Sequence, residues 1–126
     1  LERLASELGV ANRVTFPGRL GDEQLVGHLA RCRAVVFPPF QEDYGFVTAE
    51  AFASRKAVLT CRDSGGPAEL VTDGASGFIV EPTAESLARA MRRLADDAAL
   101  AERMGQAAFD AGSRLTWPEI VRTLVQ

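Results

Sequence analysis

The residue types best suited to chemistry sit in one acidic loop and the helix that follows it. Seven residues separate Glu42 from Glu50, with Gly45 among them and an apolar, alanine-rich run behind. The first N–H groups of a helix lack intrahelical acceptors, and with the helix dipole they favour an anion at the tip. A helix starting near Gly45 would present the backbone N–H groups of Gly45, Phe46, Val47 and Thr48, and Thr48 adds a hydroxyl. Gly45 has no Cβ to obstruct close approach of a phosphate. At a rise of about 1.5 Å per residue, Glu50 lies several ångströms behind that tip. A phosphate at the tip would leave a ribose hydroxyl beside Glu50, and Glu42 would face whatever hangs from the other side. A carboxylate suits hydroxyl recognition because it offers two acceptor oxygens.

These side chains need a strand to aim them. Ala34 to Phe37 is an apolar run stopped by Pro38 and Pro39, which reads as a buried strand leading into the acidic loop. Strand, loop and helix start are the arrangement that places ligands at the carboxyl ends of strands in open α/β sheets. Further strands are expected at Val14–Phe16, Ala57–Cys61 and Gly77–Val80. Leu1, Leu4, Ala5 and Leu8 have helical spacing, and Gly9 is a suitable stop. Asp22 reads as the N-cap of a helix with Leu25, Leu29 and Cys32 on its apolar face. Short helices are expected after Gly45 and near Pro67 to Val71, and longer ones behind a Thr83 cap and around Leu100, Met104 and Ala107. Thr116 and Glu119 form a capping box, flanked by Leu115 and Ile120, for a last helix that buries Trp117, Ile120, Val121 and Leu124. Alternating short strands and helices give an α/β fold of the Rossmann-like, doubly wound parallel type, with four strands and about seven helices.

The 126 residues are long enough for one domain with its own core, and 47% are hydrophobic. Fourteen basic against 17 acidic residues give a net charge of −3, which argues against a non-specific nucleic-acid binder. Cys32 and Cys61 sit among apolar residues and read as buried free thiols in a reducing compartment. No stretch approaches the roughly 20 apolar residues of a membrane span, and no signal peptide is visible, so a cytoplasmic location is expected. A single histidine, His28, and no Cys-x-x-Cys pair leave no zinc ligand set. His28 is expected to be a surface or packing residue. Arg31, Arg33, Arg55 and Lys56 read as solvated helix and loop charges rather than phosphate clamps.

Downstream of Glu42-x7-Glu50 come Ser64-Gly65-Gly66-Pro67-Ala68-Glu69 and Asp73-Gly74-x-x-Gly77. In this order and spacing, from Val14 to Trp117, the chain resembles the C-terminal domain of group 1 (family 4) glycosyltransferases of the GT-B architecture. The resemblance implies that residues 1–126 form part of a nucleotide-sugar-binding domain and that the reaction is retaining transfer of a sugar from a nucleoside diphosphate to an acceptor hydroxyl. Glu42 would be the catalytic residue, holding the transferred sugar and stabilising positive character at its anomeric carbon. Glu50 would hold the ribose, and Gly45, Phe46, Val47 and Thr48 the donor sugar and diphosphate. Gly18 and Arg19 would form a base-side loop, and Ser64, Gly65 and Gly66 a loop lining the same mouth. Glu69 is expected to anchor that loop or to pair with a cation rather than to do chemistry. Gly74 and Gly77 read as turn glycines. No cofactor or metal is implied; the nucleotide sugar is a substrate.

The resemblance is incomplete in two ways. Asp43 and Tyr44 stand where many members carry Gly and Phe, a variant that leaves the sugar undefined. The family's strand order 3-2-1-4-5-6 places two more strands between Val14–Phe16 and Ala34–Phe37. Either the first strand moves across to pair with the second, or a partner chain or a longer native chain supplies the two. A longer chain is favoured, since Leu1 already lies in a helix pattern. The family's Arg and Lys phosphate clamp and its acceptor-binding N-terminal domain would also come from upstream, so 1–126 alone is expected to be inactive. In the full-length protein, peripheral association with a membrane is compatible with this reading. The alternatives are a non-catalytic nucleotide-sugar-binding module and an unrelated doubly wound domain. A dinucleotide binder would want Gly-x-Gly-x-x-Gly after a first strand, and a receiver-like module an acidic cluster at several strand ends.

Overall fold

The computed structural model describes residues 1–114. The last expected helix, with Thr116, Trp117, Glu119, Ile120, Val121 and Leu124, lies outside the described residues. Three apolar runs become β1 (Ala34–Val36), β2 (Ala57–Cys61) and β3 (Gly77–Val80), parallel and in the order β1-β2-β3. The register sets Ala34 beside Ala57 and Leu59 beside Phe78. All five residues of β2 are buried, as expected of a parallel strand covered on both faces.

Successive residues of β2 point to opposite faces, so its alternation feeds two cores. Ala57 and Leu59 pack with Phe78 of β3 and with Ala90, Leu94, Ala101 and Met104. The last four belong to α5 (Ala84–Asp96) and α6 (Ala98–Gly112). Val58 on the other face packs with Val71, with Ala108 of α6, and with Ala51 and Phe52 of α3 (Phe46–Ala53). Thr83 caps α5 as expected, its hydroxyl accepting the Ser86 N–H at 3.2 Å. Asp97 does the same for α6 through the Leu100 N–H at 2.8 Å. Such caps contribute about 1 kcal/mol each.

Before the sheet, α1 (Glu2–Glu7) is followed by a single 3-10 turn at Ala11–Arg13 and by α2 (Asp22–Arg31). Gly9 ends α1 with φ 68°. Asp22 is the first helical residue rather than the cap, which is Gly21. In that place the Asp22 carboxylate still favours the positive helix end. Between β2 and β3 lies α4 (Gly66–Leu70). Six α-helices and the 3-10 turn therefore stand, among the described residues, where about seven helices were expected.

The expected fourth strand is not formed. The chain at Val14 is extended, with φ −119° and ψ 125°, yet Val14–Phe16 joins no ladder and both Val14 and Phe16 are 41% exposed. A strand exists only when a neighbour satisfies its backbone groups, and no described segment lies in position to do so. The segment has not moved across to β1. The outer edge of β1 is unpaired among the described residues, and Val36 on it is 42% exposed.

Candidate functional site

Beyond β1 the chain does not wander. Phe37 N–H donates to the Leu59 carbonyl at 2.9 Å, and the Thr60 hydroxyl donates to the Phe37 carbonyl at 2.9 Å. Pro38 and Pro39 have no N–H to offer, so the ladder pauses there. It resumes as Gln41 N–H to Asp63 carbonyl, Glu42 N–H to Ser64 carbonyl and Gly66 N–H to Glu42 carbonyl, at 2.9, 3.0 and 2.8 Å. The loops after β1 and β2 are thus tied together in parallel at the carboxyl end of the sheet, and Glu42 is held on both sides of its peptide unit. Gln41 takes φ 49°, a left-handed conformation that costs a non-glycine residue about 1–2 kcal/mol and is sustained by the bonds on either side.

The Ser64-Gly65-Gly66-Pro67 run is the underlay of this loop. Gly65 has φ 71°, and a Cβ there would stand 2.5 Å from the Glu42 carbonyl oxygen. Gly66 meets the Asp43 carbonyl in the same way, at 2.6 Å. Ser64 is fully buried, and its hydroxyl accepts the Cys61 N–H at 3.1 Å. Its side chain therefore supports the mouth from beneath rather than lining it. Gly45 needs its missing Cβ for a reason the sequence did not show. It sits at φ 75°, and the absent atom would collide with Pro67 at 2.5 Å. The glycine fits the loop to the underlay, whatever it also does for a ligand.

Gly45 is the N-cap of α3. The Thr48 N–H is taken by the Gly45 carbonyl at 2.8 Å, whereas the N–H groups of Phe46 and Val47 have no acceptor among the described residues. Among the described residues the Gly45 N–H has no acceptor either, so the free donors at this tip are on Gly45, Phe46 and Val47, and not on Thr48. Thr48 itself is fully buried, and among the described residues its Oγ1 is the buried side-chain polar atom without a hydrogen-bond partner. Leaving such an atom unsatisfied costs about 1–3 kcal/mol.

Glu42 and Glu50 are both exposed, and neither forms an ion pair among the described residues. Glu50 lies on the wall of a groove of about 290 Å³ between α2 and α3, with Leu25, Val26, Leu29 and Ala53 supplying apolar surface. Aromatic side chains also stand out at the mouth. Phe40 and Phe46 are 73% and 72% exposed, and the Tyr44 and Phe46 rings lie 4.8 Å apart. Composition gave no signal for this, because an exposed phenylalanine and a core one look alike in sequence. Gly18 and Arg19 are exposed after the unpaired Val14–Phe16 segment and have no hydrogen bond to the motif loop among the described residues. Glu69 is exposed on α4.

Burial pushes the thiols of Cys61 and Cys32 above their ordinary pKa. At Cys61 the Asp63 and Glu81 carboxylates add to the rise, whereas at Cys32 the Lys56 charge opposes it. Neither forms a disulfide. Among the described residues no group of three or more His, Cys, Asp or Glu is placed to hold a metal ion. No described helix is long and apolar enough to cross a membrane.

The family model for glycosyl transferases group 1 matches residues 1–111. A D-inositol 3-phosphate glycosyltransferase of Streptomyces avermitilis is 40% identical over 120 residues, which cover 93% of this chain and 25% of that protein. The solved sucrose-phosphate synthase of Thermosynechococcus elongatus superposes with a TM-score of 0.87 at 30% identity, over 99% of this chain and 32% of that one. The Anabaena protein HepE, solved in complex with UDP and glucose, superposes with a TM-score of 0.81 at 28% identity, over 98% of this chain and 35% of HepE. The chain spans about a quarter of the length of the curated relatives it matches. An unrelated doubly wound domain is thereby set aside: the chain belongs to the group 1 glycosyl transferases and carries part of their Rossmann-like GT-B C-terminal domain.

Proposed function

We propose that this chain supplies the donor-side half of a retaining glycosyltransferase site, and that it transfers no sugar by itself. The observation that carries the reading is the tip of α3. Among the described residues three N–H groups without an acceptor, on Gly45, Phe46 and Val47, with the unpartnered Thr48 hydroxyl buried behind them, lie beside a loop whose backbone is fixed by hydrogen bonds. Donors fixed in advance are what a leaving diphosphate requires, because the charge growing on it meets dipoles that need no reorganisation. HepE, of related sequence and fold, holds UDP and glucose, which supports a nucleotide-sugar donor here.

In the proposed reaction the bond from the anomeric carbon to the diphosphate oxygen breaks, and its electron pair leaves with the diphosphate. The acceptor hydroxyl oxygen bonds to the anomeric carbon on the same face and gives its proton to the departing phosphate. Glu42 holds hydroxyls of the transferred sugar and stabilises the developing positive charge. Glu50 accepts from the ribose hydroxyls, and its groove between α2 and α3 leads toward the base, on the side where Gly18 and Arg19 are assigned. The dipole of α3 and its free N–H groups meet the diphosphate, with no metal or other cofactor assigned a part. As part of the same reading we assign the native protein to the cytoplasm, with peripheral association at a membrane compatible with it.

Inactivity of the chain alone is supported by where four of its cations lie, and by the pairing of Arg62, which follows β2, with Glu81. Arg33 and Lys56 directly precede β1 and β2, and Arg31 and Arg55 stand beside them in sequence. A five-residue strand at about 3.3 Å per residue separates that end of the sheet from the mouth by roughly 15 Å. These side chains cannot clamp a phosphate at the α3 tip; the basic clamp is assigned to the stretch upstream of this chain, and the other wall of the cleft, with its acceptor site, to an N-terminal domain. NMR titration of the chain with UDP and GDP checks this reading. Amide shifts at Phe46, Val47 and Glu50 are expected, with a dissociation constant of about a millimolar or weaker, and no release of nucleoside diphosphate from UDP-glucose or GDP-mannose. Shifts that avoid α3 altogether, or measurable turnover by this chain, would overturn it.

A further inference from the structure

The amino end of the sheet, away from the mouth, carries a second concentration of polar chemistry. A cavity of about 220 Å³ is lined by Arg31, Arg33, Arg55 and Lys56, with the first turns of α6 as another wall. The pairing of Ala34 with Ala57 brings together Arg33 and Lys56, which immediately precede them. Glu102 is the one carboxylate of the lining. Among the described residues, none of the four cations forms an ion pair.

Three of these cations are held in place by contacts that leave most of their N–H donors unused. Lys56 Nζ donates to the Ala30 carbonyl at 3.0 Å, and Arg33 Nη1 to the Ala95 carbonyl at 3.3 Å. The Arg55 guanidinium lies 3.9 Å over the Phe109 ring, a stacking that fixes its plane and leaves the edges free. Arg55 also occupies a left-handed conformation, with φ 55°, just past the end of α3, where glycine is the usual residue. A Cβ at Gly105 of α6 would strike the Arg55 carbonyl at 2.2 Å, so the close packing of α6 against this turn holds Arg55 there. Four like charges facing one carboxylate that pairs with none of them repel one another, and an anion among them relieves that repulsion. At about 30 Å³ per water, the cavity has room for a tetrahedral oxyanion with its ester oxygen directed outward.

We propose that this cavity is a binding site for a phosphate monoester, separate from the donor mouth. Arg55 and Arg31 supply the planar two-pronged contacts that phosphate oxygens accept, and Lys56 and Arg33 supply charge at the back. The phosphate can belong to a soluble ester or to the headgroup of phosphatidic acid at a membrane surface.

The test uses the chain with inorganic phosphate and, separately, with vesicles of phosphatidylcholine with and without phosphatidic acid. Binding of phosphate is expected to be saturable, with amide shifts at Arg31, Cys32, Arg33, Arg55 and Lys56. It should weaken about tenfold in Arg55→Gly and in Arg31→Gln. Arg55→Gly is the sharper variant, because glycine adopts the left-handed turn without penalty and the fold should melt near the parent temperature. Binding only to the phosphatidic acid vesicles, with the same sensitivity to Arg55→Gly, would support the site and assign its anion to a lipid surface. No binding, equal binding by parent and variants, equally effective displacement by chloride, or shifts confined to Phe46, Val47 and Thr48 would each overturn the proposal.

Discussion

Residues 1–33 and residues 57–112 both have apolar helical stripes, but only the second region has turned its pattern into a core. In 57–112, β2 is buried throughout and α5 and α6 contribute Ala90, Leu94, Ala101, Met104 and Ala108 to its two faces. In 1–33 the single buried residue is Ala5, and α2 buries none. Leu4, Leu8, Leu25 and Val26 are exposed, although each occupies a position its helix pattern marks as inward or next to it. The difference is one of partners rather than residues. An amphipathic helix contributes stability in proportion to the area it covers, and against an unpaired sheet edge there is little to cover.

Truncating the same side chain in the two regions should expose this contrast most strongly. Leu59→Ala, at a fully buried position, is expected to cost about 2–5 kcal/mol. Leu25→Ala, at a position 39% exposed, should cost below about 1 kcal/mol. Urea unfolding of the two variants measures both, and equal losses would mean that α2 is packed as firmly as the sheet.

Next in size is the comparison of two glycines with similar backbone angles. Gly65→Ala adds a Cβ 2.5 Å from the Glu42 carbonyl at φ 71°, whereas Gly18→Ala adds one in open space at φ 68°. The first is expected to cost roughly 2–4 kcal/mol and to shift the Glu42 and Gly45 amides. The second should cost only about 1 kcal/mol of left-handed strain. Similar costs at both positions would show that the underlay beneath Glu42 is looser than its hydrogen bonds indicate.

The smallest effect separates the thiols. Both folded pKa values are raised, so at neutral pH less thiolate is present than in an unfolded chain, and alkylation by iodoacetamide should be slow. It should speed up as pH rises toward the folded pKa. Because Cys61 is buried and Cys32 only half-buried, Cys32 is expected to react first by several-fold, a result read by mass spectrometry. Because folding holds the thiols protonated, it gives stability that is fully present below the unfolded pKa and unchanged at pH 6–7. That stability is lost as pH rises from the unfolded pKa through the folded one, which lies higher.

Much of the site was readable in the chain because its signals are local. Pro38 and Pro39 end β1, and Gly45 starts α3 where expected, since φ preferences act within a residue or two. The Thr83 cap depends on a bond three residues away and was equally visible. Asp22 stands one position past the cap, because on local grounds either it or Gly21 could begin the helix. The role of Gly65 and Gly66 beneath Glu42 was not visible, because it joins two loops more than 20 residues apart in sequence.

Sequence alone determined the strand–loop–helix unit of Glu42 to Glu50, the alternation of strands and helices from Ala34 onward, and the family. The first two follow from spacing along the chain, and the family from the resemblance of its ordered motifs. Tertiary structure decided that Val14–Phe16 forms no strand, that Ser64 is support rather than lining, and that four dispersed cations share one cavity. Those outcomes depend on which backbone groups meet across the sheet, and neighbours in a parallel sheet are set by register between segments far apart in the chain.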